Sequence, residues 1–407
     1  MSTPFQGKRV LLGVTGSIAC YKAAELASRL AQAGAQVDVI LTQAALQFIT
    51  PLTFQSVTGR RAYTDSDMWG GEGHVLHIGL AHSADLLVIA PASANTLARL
   101  AHGIADNLLS VTALAAACPL LLAPAMDGGM FTNPATQANL ETLRLRGAQV
   151  VGPVEGHLAS GQVGLGRMSE PADLLGHIRR LLARNGRLAG RRLVVTAGGT
   201  QEPIDPVRFI ANRSSGKQGF ALAQAALDLG ADVTLITGVT DLPTPIGAER
   251  RAAPTAQEML QAVLEAIPGA EALIMAAAVA DFRPASTSSE KIKKESGLGE
   301  IKLEQAPDIL TEVAHYKQET GWPRRVVGFA AESHDLLNNA QAKLRNKKLD
   351  LIVANDILAD DAGFAVDTNR VTLLFADGRS KALPLLSKQE VAHLVIERVA
   401  DMLIEDN

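Results

Sequence analysis

Residues 8–17 read KRVLLGVTGS, and residues 191–200 read RRLVVTAGGT. Each begins with a basic pair, runs through residues suited to a buried strand, and breaks at a glycine-bearing turn into a helical stretch. That is the opening of an open α/β sheet, where ligands bind at the carboxyl ends of the strands. Two such openings, about one domain length apart, predict two ligand-binding domains on one chain. Working outward, VLLGVTG, VDVILT, DLLVIAPAS, PLLLAPAM and QVVGP alternate with helical patterns such as 19–33 and 96–105. The second half repeats the rhythm in RLVVTAGG, DVTLITG, ALIMAAAVAD, RVVGFAAE and LDLIVAND. Near-continuous apolar strands separated by helices predict parallel sheets covered on both faces, hence a doubly wound α/β fold in each half.

The polar, glycine-bearing stretch 183–190 (ARNGRLAG) predicts the boundary, giving domains over 1–189 and 190–407. Near the end, VTLLFADGRSKALPL predicts a hairpin with an Asp-Gly turn, followed by a helix from Lys388 to about Ile404. The Lys/Glu/Ser/Gly-rich stretch 283–305 predicts a mobile surface loop. With only 4% aromatic residues against 47% hydrophobic, the chain suits an Ala-rich α/β enzyme better than a β-sandwich. A net charge of −4 excludes a general nucleic-acid footprint. Cys20 and Cys118 lie in or near apolar segments and read as small core residues of a reducing compartment. The apolar stretches are too short or too interrupted to span a bilayer, and a cytoplasmic location is expected.

In the first half, Thr15, Gly16 and Ser17 stand at the first strand-to-helix turn, where helix N-terminal amides and hydroxyls suit an anion. Thr42 ends the next strand, and Ser93, Asn95 and Thr96 follow the third. Small and amide side chains at adjacent strand ends suit a flat ring edge with a ribityl or ribose chain. No GxGxxG is present, which disfavours a dinucleotide enzyme. GVTGSIACYK (13–22), the block HIGLAHSADLLVIAPASANTLARLAHGIADNLLS (77–110) and PAMDGGM (124–130) resemble the flavin-dependent cysteine decarboxylase family. The resemblance implies a flavodoxin-like domain that binds FMN through Gly16, Ser17, Ile18, Thr42, Ser93, Asn95, Thr96, Met126 and Asp127. It implies that His77, in His77-Ile-Gly-Leu-Ala81, is the base; nothing comparable singles out His74, His82 or His102.

Two positions depart from that family's pattern. Asp127 stands where Asn is usual, and Ser160, in the flap segment ASGQVGLGRM (159–168), stands where Cys is usual. The family's Asn is credited with holding the substrate carboxylate, which an ionised Asp127 would repel. Its Cys is credited with protonating an enethiol, and a serine hydroxyl is a far weaker acid than a thiol. Phe131 for Trp is a milder change. These departures imply that another group donates the proton, or that this half is slow or stalls, or that it is a non-catalytic flavin-binding, trimerising or regulatory module; retention of His77 argues against the last.

The second half carries TAGGTQEPIDPVRFIANRSSGKQG (196–219). Gly198 and Gly199 allow close backbone approach at a strand end. Asn212-Arg-Ser-Ser-Gly-Lys217, just before a helical stretch, supplies hydroxyls, free amides and cations suited to phosphate, without being a P-loop. With AAAVADFRP (276–284), EKIKK (290–294), APDIL (306–310), GFAAE (328–332) and AKLRNKKLDLIVAND (342–356) in this order, the segment resembles phosphopantothenate–cysteine ligase. The whole chain therefore resembles the bifunctional decarboxylase/ligase family of coenzyme A biosynthesis. The resemblance implies a C-terminal Rossmann-like ligase domain that joins 4′-phosphopantothenate and cysteine through an acyl-cytidylate made from CTP with Mg2+. It implies that Asn212 steadies that intermediate, that Lys291 closes over the reacting phosphate, and that Asp281 reads the cytosine or holds the metal-nucleotide. Phe329 packs on the base or ribose, and Lys343 and Lys347, four apart on one helix face, reach the triphosphate. Gly199, Ser214, Ser215, Gly216, Lys217, Ala277, Pro307, Asp308, Ile309 and Leu310 complete the implied substrate and CTP site. The N-terminal half then decarboxylates the ligase product to 4′-phosphopantetheine. Trimeric decarboxylase and dimeric ligase contacts, as in the family, imply a homo-oligomer that closes as a dodecamer.

Overall fold

The structure is a computed structural model that describes residues 3–69, 75–293, 300–332, 336–356 and 367–405. It divides into two compact units, Met1–Ala183 and Arg184–Asn407.

In the first unit, β1 (Arg9–Val14), β2 (Gln36–Leu41), β3 (Ala62–Tyr63), β4 (Leu86–Ala92), β5 (Leu120–Pro124) and β6 (Gln149–Val150) form a sheet in the order β3-β2-β1-β4-β5-β6. All its pairings are parallel. Successive side chains of a strand point to opposite faces, and both faces here are covered. Val10, Leu12 and Val14 enter one core with Leu26 and Leu30, while Leu11 enters the other with Ile89 and Leu97. That double burial is why the strands read as unbroken apolar runs. The helix Cys20–Gln32 turns Ala23, Leu26, Ala27 and Leu30 onto the sheet, at the spacing of one helix face. The helix expected over 96–105 runs instead over Ala94–His102: Ser93 caps its start, and Gly103 ends it in the left-handed conformation (φ +69°). A hairpin of β7 (Val154–His157) and β8 (Val163–Arg167) follows the sheet.

The second unit repeats this order. Its main strands are β9 (Arg192–Ala197), β12 (Asp232–Thr237), β13 (Ala248–Ala252), β14 (Ala272–Met275), β17 (Arg325–Glu332) and β18 (Leu351–Asp356). Short pairs interrupt them: β10 (Gln201–Pro203) with β11 (Phe209–Ala211), and β15 (Phe282–Pro284) with β16 (Leu303–Gln305). The sheet runs β13-β12-β9-β14-β17-β18, then continues antiparallel through β20 (Val371–Phe375) and β21 (Ser380–Ala382). The β20–β21 hairpin turns at Asp377-Gly378, with Gly378 at φ +89°, as the Asp-Gly pair predicts. β19 (Thr368–Asn369) pairs with β22 (Leu386–Ser387), and Ser387 caps the last helix, Lys388–Ile404, through a capping box with Glu390. The stretch 283–305 is not a plain loop: its ends pair as β15 and β16, and residues 294–299, Lys294 among them, lie outside the described residues.

In both units the chain lays strands to one side of the first strand, then starts again on its other side. The reversal leaves a crevice at the carboxyl ends of β1 and β4, and another at those of β9 and β14. A threonine fastens each crevice. Thr15, buried at the end of β1, donates to the Pro91 carbonyl (2.7 Å) and accepts from the Ser93 amide (2.9 Å). Thr196 accepts from the Ala277 amide (3.1 Å), and Thr200 accepts from the Ala280 amide (2.9 Å).

Candidate active sites

The predicted flavin residues of the first unit fall along one sheet edge. Gly16, Ser17 and Ile18 follow β1, Thr42 follows β2, Ser93–Thr96 follow β4, and Met126 and Asp127 follow β5. The turn after β1 needs Gly16: a Cβ there would lie 2.6 Å from the Ala44 Cβ. The expected pair of hydroxyls is reduced to one, because Thr15 is spent on its strand-to-strand bonds. Ser17 accepts from the Ala19 amide (3.3 Å), and Ser93 caps its helix by accepting from the Thr96 amide (3.3 Å). Asn95 is exposed, and the Ile18 side chain, 60% exposed, stands over the same turn. His77 is half-buried near the start of the helix Leu76–Ser83. That helix leads into the amino end of β4, so its start, about 1.5 Å per residue back, lies toward the carboxyl edge. His74 lies outside the described residues.

The β7–β8 hairpin is stitched to the end of β5. The Met126 amide donates to the Gly166 carbonyl (3.0 Å), and a Cβ on Gly166 would collide with the Met126 carbonyl oxygen. A Cβ on Gly128 would lie 3.0 Å from the Leu165 carbonyl oxygen. The base of the hairpin is held by Lys22, a buried cation that donates to the Met168 carbonyl (3.0 Å) and pairs with Glu170 (2.7 Å). At the tip, the two departures from the family pattern meet. The Ser160 hydroxyl donates to Asp127 Oδ2 (2.7 Å), while Asp127 Oδ1 accepts from the Gly129 amide (3.0 Å) at the start of the helix Gly128–Thr132. The Ser160 bond and then the Gly129 amide hold the Asp127 carboxyl below its ordinary range. Asp127 is therefore an anion turned onto a helix start and the flap, and Ser160's proton points at it.

In the second unit a cavity of about 940 Å³ opens at the β9/β14 crevice. It is lined by predicted residues from every block but EKIKK: Asn212, Ser214, Ser215, Gly216 and Lys217; Ala277 and Asp281; Pro307, Asp308, Ile309 and Leu310; Phe329; Lys343 and Lys347. The helix Lys217–Asp228 starts at Gly216 (φ +76°) without a side chain capping it from Gly216, and the Gly216 and Lys217 amides make only long bonds to the Ser214 and Ser215 hydroxyls (3.4 and 3.5 Å), so this start suits an anion. The Asn212 amide donates to the Val279 carbonyl (3.0 Å), tying its loop to the β14 end. Two of the cations are already paired: Lys217 with Asp367 (2.6 Å), and Lys347 with Asp308 and with the Thr311 hydroxyl (2.7 Å), while Lys343 donates to the Phe329 carbonyl (3.5 Å). Burial would raise the Asp308 carboxyl, but Lys347 and the Thr311 amide outweigh it and lower it. An anionic ligand entering here would exchange one anionic partner of Lys217 or Lys347 for another.

Two family models match this chain end to end. A flavoprotein model covers residues 1–183, and a DNA/pantothenate metabolism flavoprotein C-terminal domain model covers 188–403. The coenzyme A biosynthesis bifunctional protein CoaBC of Bacillus subtilis (strain 168) is 44% identical over 396 residues, covering 97% of each chain. The protein of the same name from Mycobacterium tuberculosis (strain ATCC 25618 / H37Rv) is 45% identical over 408 residues, again 97% of each. The chain belongs to this bifunctional coenzyme A biosynthesis family. A solved C-terminal domain of a CoaBC protein is 38% identical and covers 55% of this chain and 100% of its own, with a TM-score of 0.46.

Two predicted residues stand apart from the cavity lining. Lys291 is exposed, and its neighbour Ile292 is pinned to another turn: its amide donates to Asp205 (3.2 Å), and its carbonyl accepts from Arg208 (2.7 Å). Gly199 works through backbone: a Cβ there would lie 3.0 Å from the Asn212 carbonyl oxygen, so it lets the 212–214 loop close. Conversely, Gln218, Asn346, Asn355, Asn369 and Lys388 line the cavity without having been singled out. The IVAND block carried a signal for Asn355; Asn369 and Lys388 reach the cavity only through the β19–β22 pairing. No group of three or more His, Cys, Asp or Glu suited to a metal occurs among the described residues. Asp281, exposed, lines the cavity after β14.

Proposed function

We infer that this chain makes 4′-phosphopantetheine in two steps, joining cysteine to 4′-phosphopantothenate in the second unit and decarboxylating the product in the first. The observation that carries the reading is the arrival of all but one of the implied ligase blocks at one cavity, on a chain 44% identical to a bifunctional relative over nearly full length. In the ligation, the carboxylate of 4′-phosphopantothenate attacks the α-phosphorus of CTP and pyrophosphate leaves. The cysteine amine then attacks the acyl carbon, cytidine monophosphate departs with the C–O bonding pair, and the amine gives up one proton. Charge builds on phosphate oxygens in the first step, and Lys217, Lys343, Lys347 and the open helix start at Gly216 are placed to balance it. Asn212 steadies the mixed anhydride, and Lys291 reaches the phosphates when the 283–305 arm folds over. Mg2+, held on the nucleotide beside Asp281, supplies further neutralisation.

In the decarboxylation, FMN supplies a two-electron acceptor that later returns the electrons, so the overall reaction is redox-neutral. His77 takes the substrate proton as oxidation begins. The crevice residues Gly16–Ile18, Thr42 and Ser93–Thr96 hold the flavin, with backbone amides and hydroxyls toward its polar chain. The Ser160–Asp127 bond favours a second reading, in which this half turns over slowly: a hydroxyl already donating to a carboxylate is a poor acid. Phe48 (51% exposed) and Leu52 (67% exposed) lie beyond β2, and Ile18 beyond β1, which supports a covering second copy. The family resemblance supports a homo-oligomer with trimeric and dimeric contacts. The location is cytoplasmic; among the described residues no helix is long and apolar enough to cross a membrane. The test is release of labelled CO2 from [1-14C]cysteine in the presence of 4′-phosphopantothenate and CTP. His77→Asn should stop label release and leave CMP formation intact; normal release from that variant removes His77 from the mechanism.

A further inference from the structure

The inner corner of the C-terminal cavity holds polar atoms that the assigned groups do not use. Asn355 and Asn369 both line it, and the Oδ1 of each is buried without a hydrogen-bond partner. Asn369 is only 4% exposed. Its orientation is fixed by a chain of bonds. Gln218 Nε2 donates to the Lys388 carbonyl (3.1 Å), which leaves Gln218 Oε1 to accept from Asn369 Nδ2 (2.8 Å). Turning the Asn369 amide over would set two oxygens against each other, so its Oδ1 must face away from Gln218. The sheet brings the second amide close: Asn355 stands opposite Val371 on β20, two residues beyond Asn369. Lys388 joins the corner through Thr368↔Ser387 and its own amide bond to the Asp367 carbonyl (2.9 Å). Its side chain is 6% exposed and lines the same cavity.

Buried acceptors without donors are costly unless a ligand supplies the donors. Two carbonyl oxygens repel phosphate oxygens, which excludes a phosphate there. A primary amine brings two N–H donors in a small volume, one for each oxygen, and keeps its lone pair for attack. Resting on the ligase reading above, we propose that this corner is the subsite for the acceptor amino acid. Its α-amine lies on Asn355 Oδ1 and Asn369 Oδ1, and its carboxylate lies against Lys388. Burial and then the nearby Lys217 lower the Lys388 ammonium, with Asp367 opposing them. During attack on the acyl carbon the nitrogen becomes positive, and both amide oxygens face that developing charge.

The test separates the half-reactions. With 4′-phosphopantothenate and CTP but no amino acid, pyrophosphate release reports the first step; adding cysteine, CMP release reports the second. Asn369→Ala and Asn355→Ala should retain pyrophosphate release and raise the apparent KM for cysteine at least tenfold, the scale of one charge-assisted hydrogen bond. Lys388→Met should do the same for cysteine while leaving cysteamine, which has the amine and thiol but no carboxylate, within about twofold. Cysteine KM values unchanged in these variants overturn the proposal. So does loss of pyrophosphate release in them while the wild-type chain retains it, which would give the corner to CTP or the acid. Wild-type protein that releases no pyrophosphate refutes the ligase reading itself, and the subsite with it.

Discussion

Gly166→Ala should disable the decarboxylase and leave the ligase untouched. The added Cβ meets the Met126 carbonyl oxygen, with the Gly128 amide nitrogen at 3.3 Å and Leu158 Cδ2 at 3.2 Å. Two of these are backbone atoms of the segment carrying Asp127, so no rotamer change relieves them. Overpacking of this kind costs about 1–3 kcal/mol, and losing the Met126–Gly166 bond adds about 0.5–1.5 kcal/mol. A total of about 1.5–4.5 kcal/mol is less than the 5–15 kcal/mol that usually holds a domain together, so the unit stays folded and the flap lifts. At about 1.4 kcal/mol per tenfold, decarboxylation should fall by about 10- to 1,600-fold. The assay is CO2 release from 4′-phosphopantothenoylcysteine, with CMP formation measured alongside. Gly164→Ala is the control, because a Cβ there meets nothing within 4 Å on the same strand. Decarboxylation in Gly166→Ala as fast as in Gly164→Ala would refute the reasoning.

Other consequences are equally direct. Thr15→Val leaves the buried Ser93 amide and Pro91 carbonyl unpaired, about 1–3 kcal/mol; calorimetry should show the first unit melting about 2–12 °C lower, with weaker flavin retention on gel filtration. Ser160→Cys alone should speed decarboxylation less than Ser160→Cys with Asp127→Asn, because the two side chains share a bond (2.7 Å); simple additivity of the two rate changes would show them to act independently. Burial would raise the Asp205 carboxyl, but the Val207 and Arg208 amides, the Arg208 guanidinium and the Ile292 amide together hold it far below its ordinary range. Its contribution is therefore present above about pH 4, the ordinary carboxylate value, and fades as pH falls through the depressed one. Asp205→Asn should lower the melting temperature of the second unit at pH 7 and flatten its decline on the acid side; a parallel, undiminished decline would remove Asp205 as the cause.

Much of this molecule was legible because its strands are buried on both faces. Apart from Gly13 and Thr196, every position of Val10–Val14 and Leu193–Ala197 carries a buried apolar side chain, as a parallel sheet covered on both faces needs. The strand-end glycines and the helix starts after them then located both crevices. What stayed hidden depends on distant pairings. Thr15 reads as a phosphate hydroxyl until the structure brings Pro91 and Ser93 to it. Asp127 and Ser160 are separate anomalies in sequence, 33 residues apart, and only the flap hairpin makes them one hydrogen-bonded unit. Lys291 is named by its motif, yet the backbone at Ile292 is committed to Asp205 and Arg208, and Lys291 lies outside the cavity lining. Asn369 and Lys388 carry no motif, and two short strands late in the chain carry them to the cavity.

The central claim is that one polypeptide performs both reactions. Purified full-length protein, given 4′-phosphopantothenate, cysteine, CTP and Mg2+, should form CMP and pyrophosphate together, with 4′-phosphopantothenoylcysteine appearing first and 4′-phosphopantetheine following by mass spectrometry. Absence of CMP and of both cysteine-bearing products, from protein that is folded and flavin-loaded, would contradict the account.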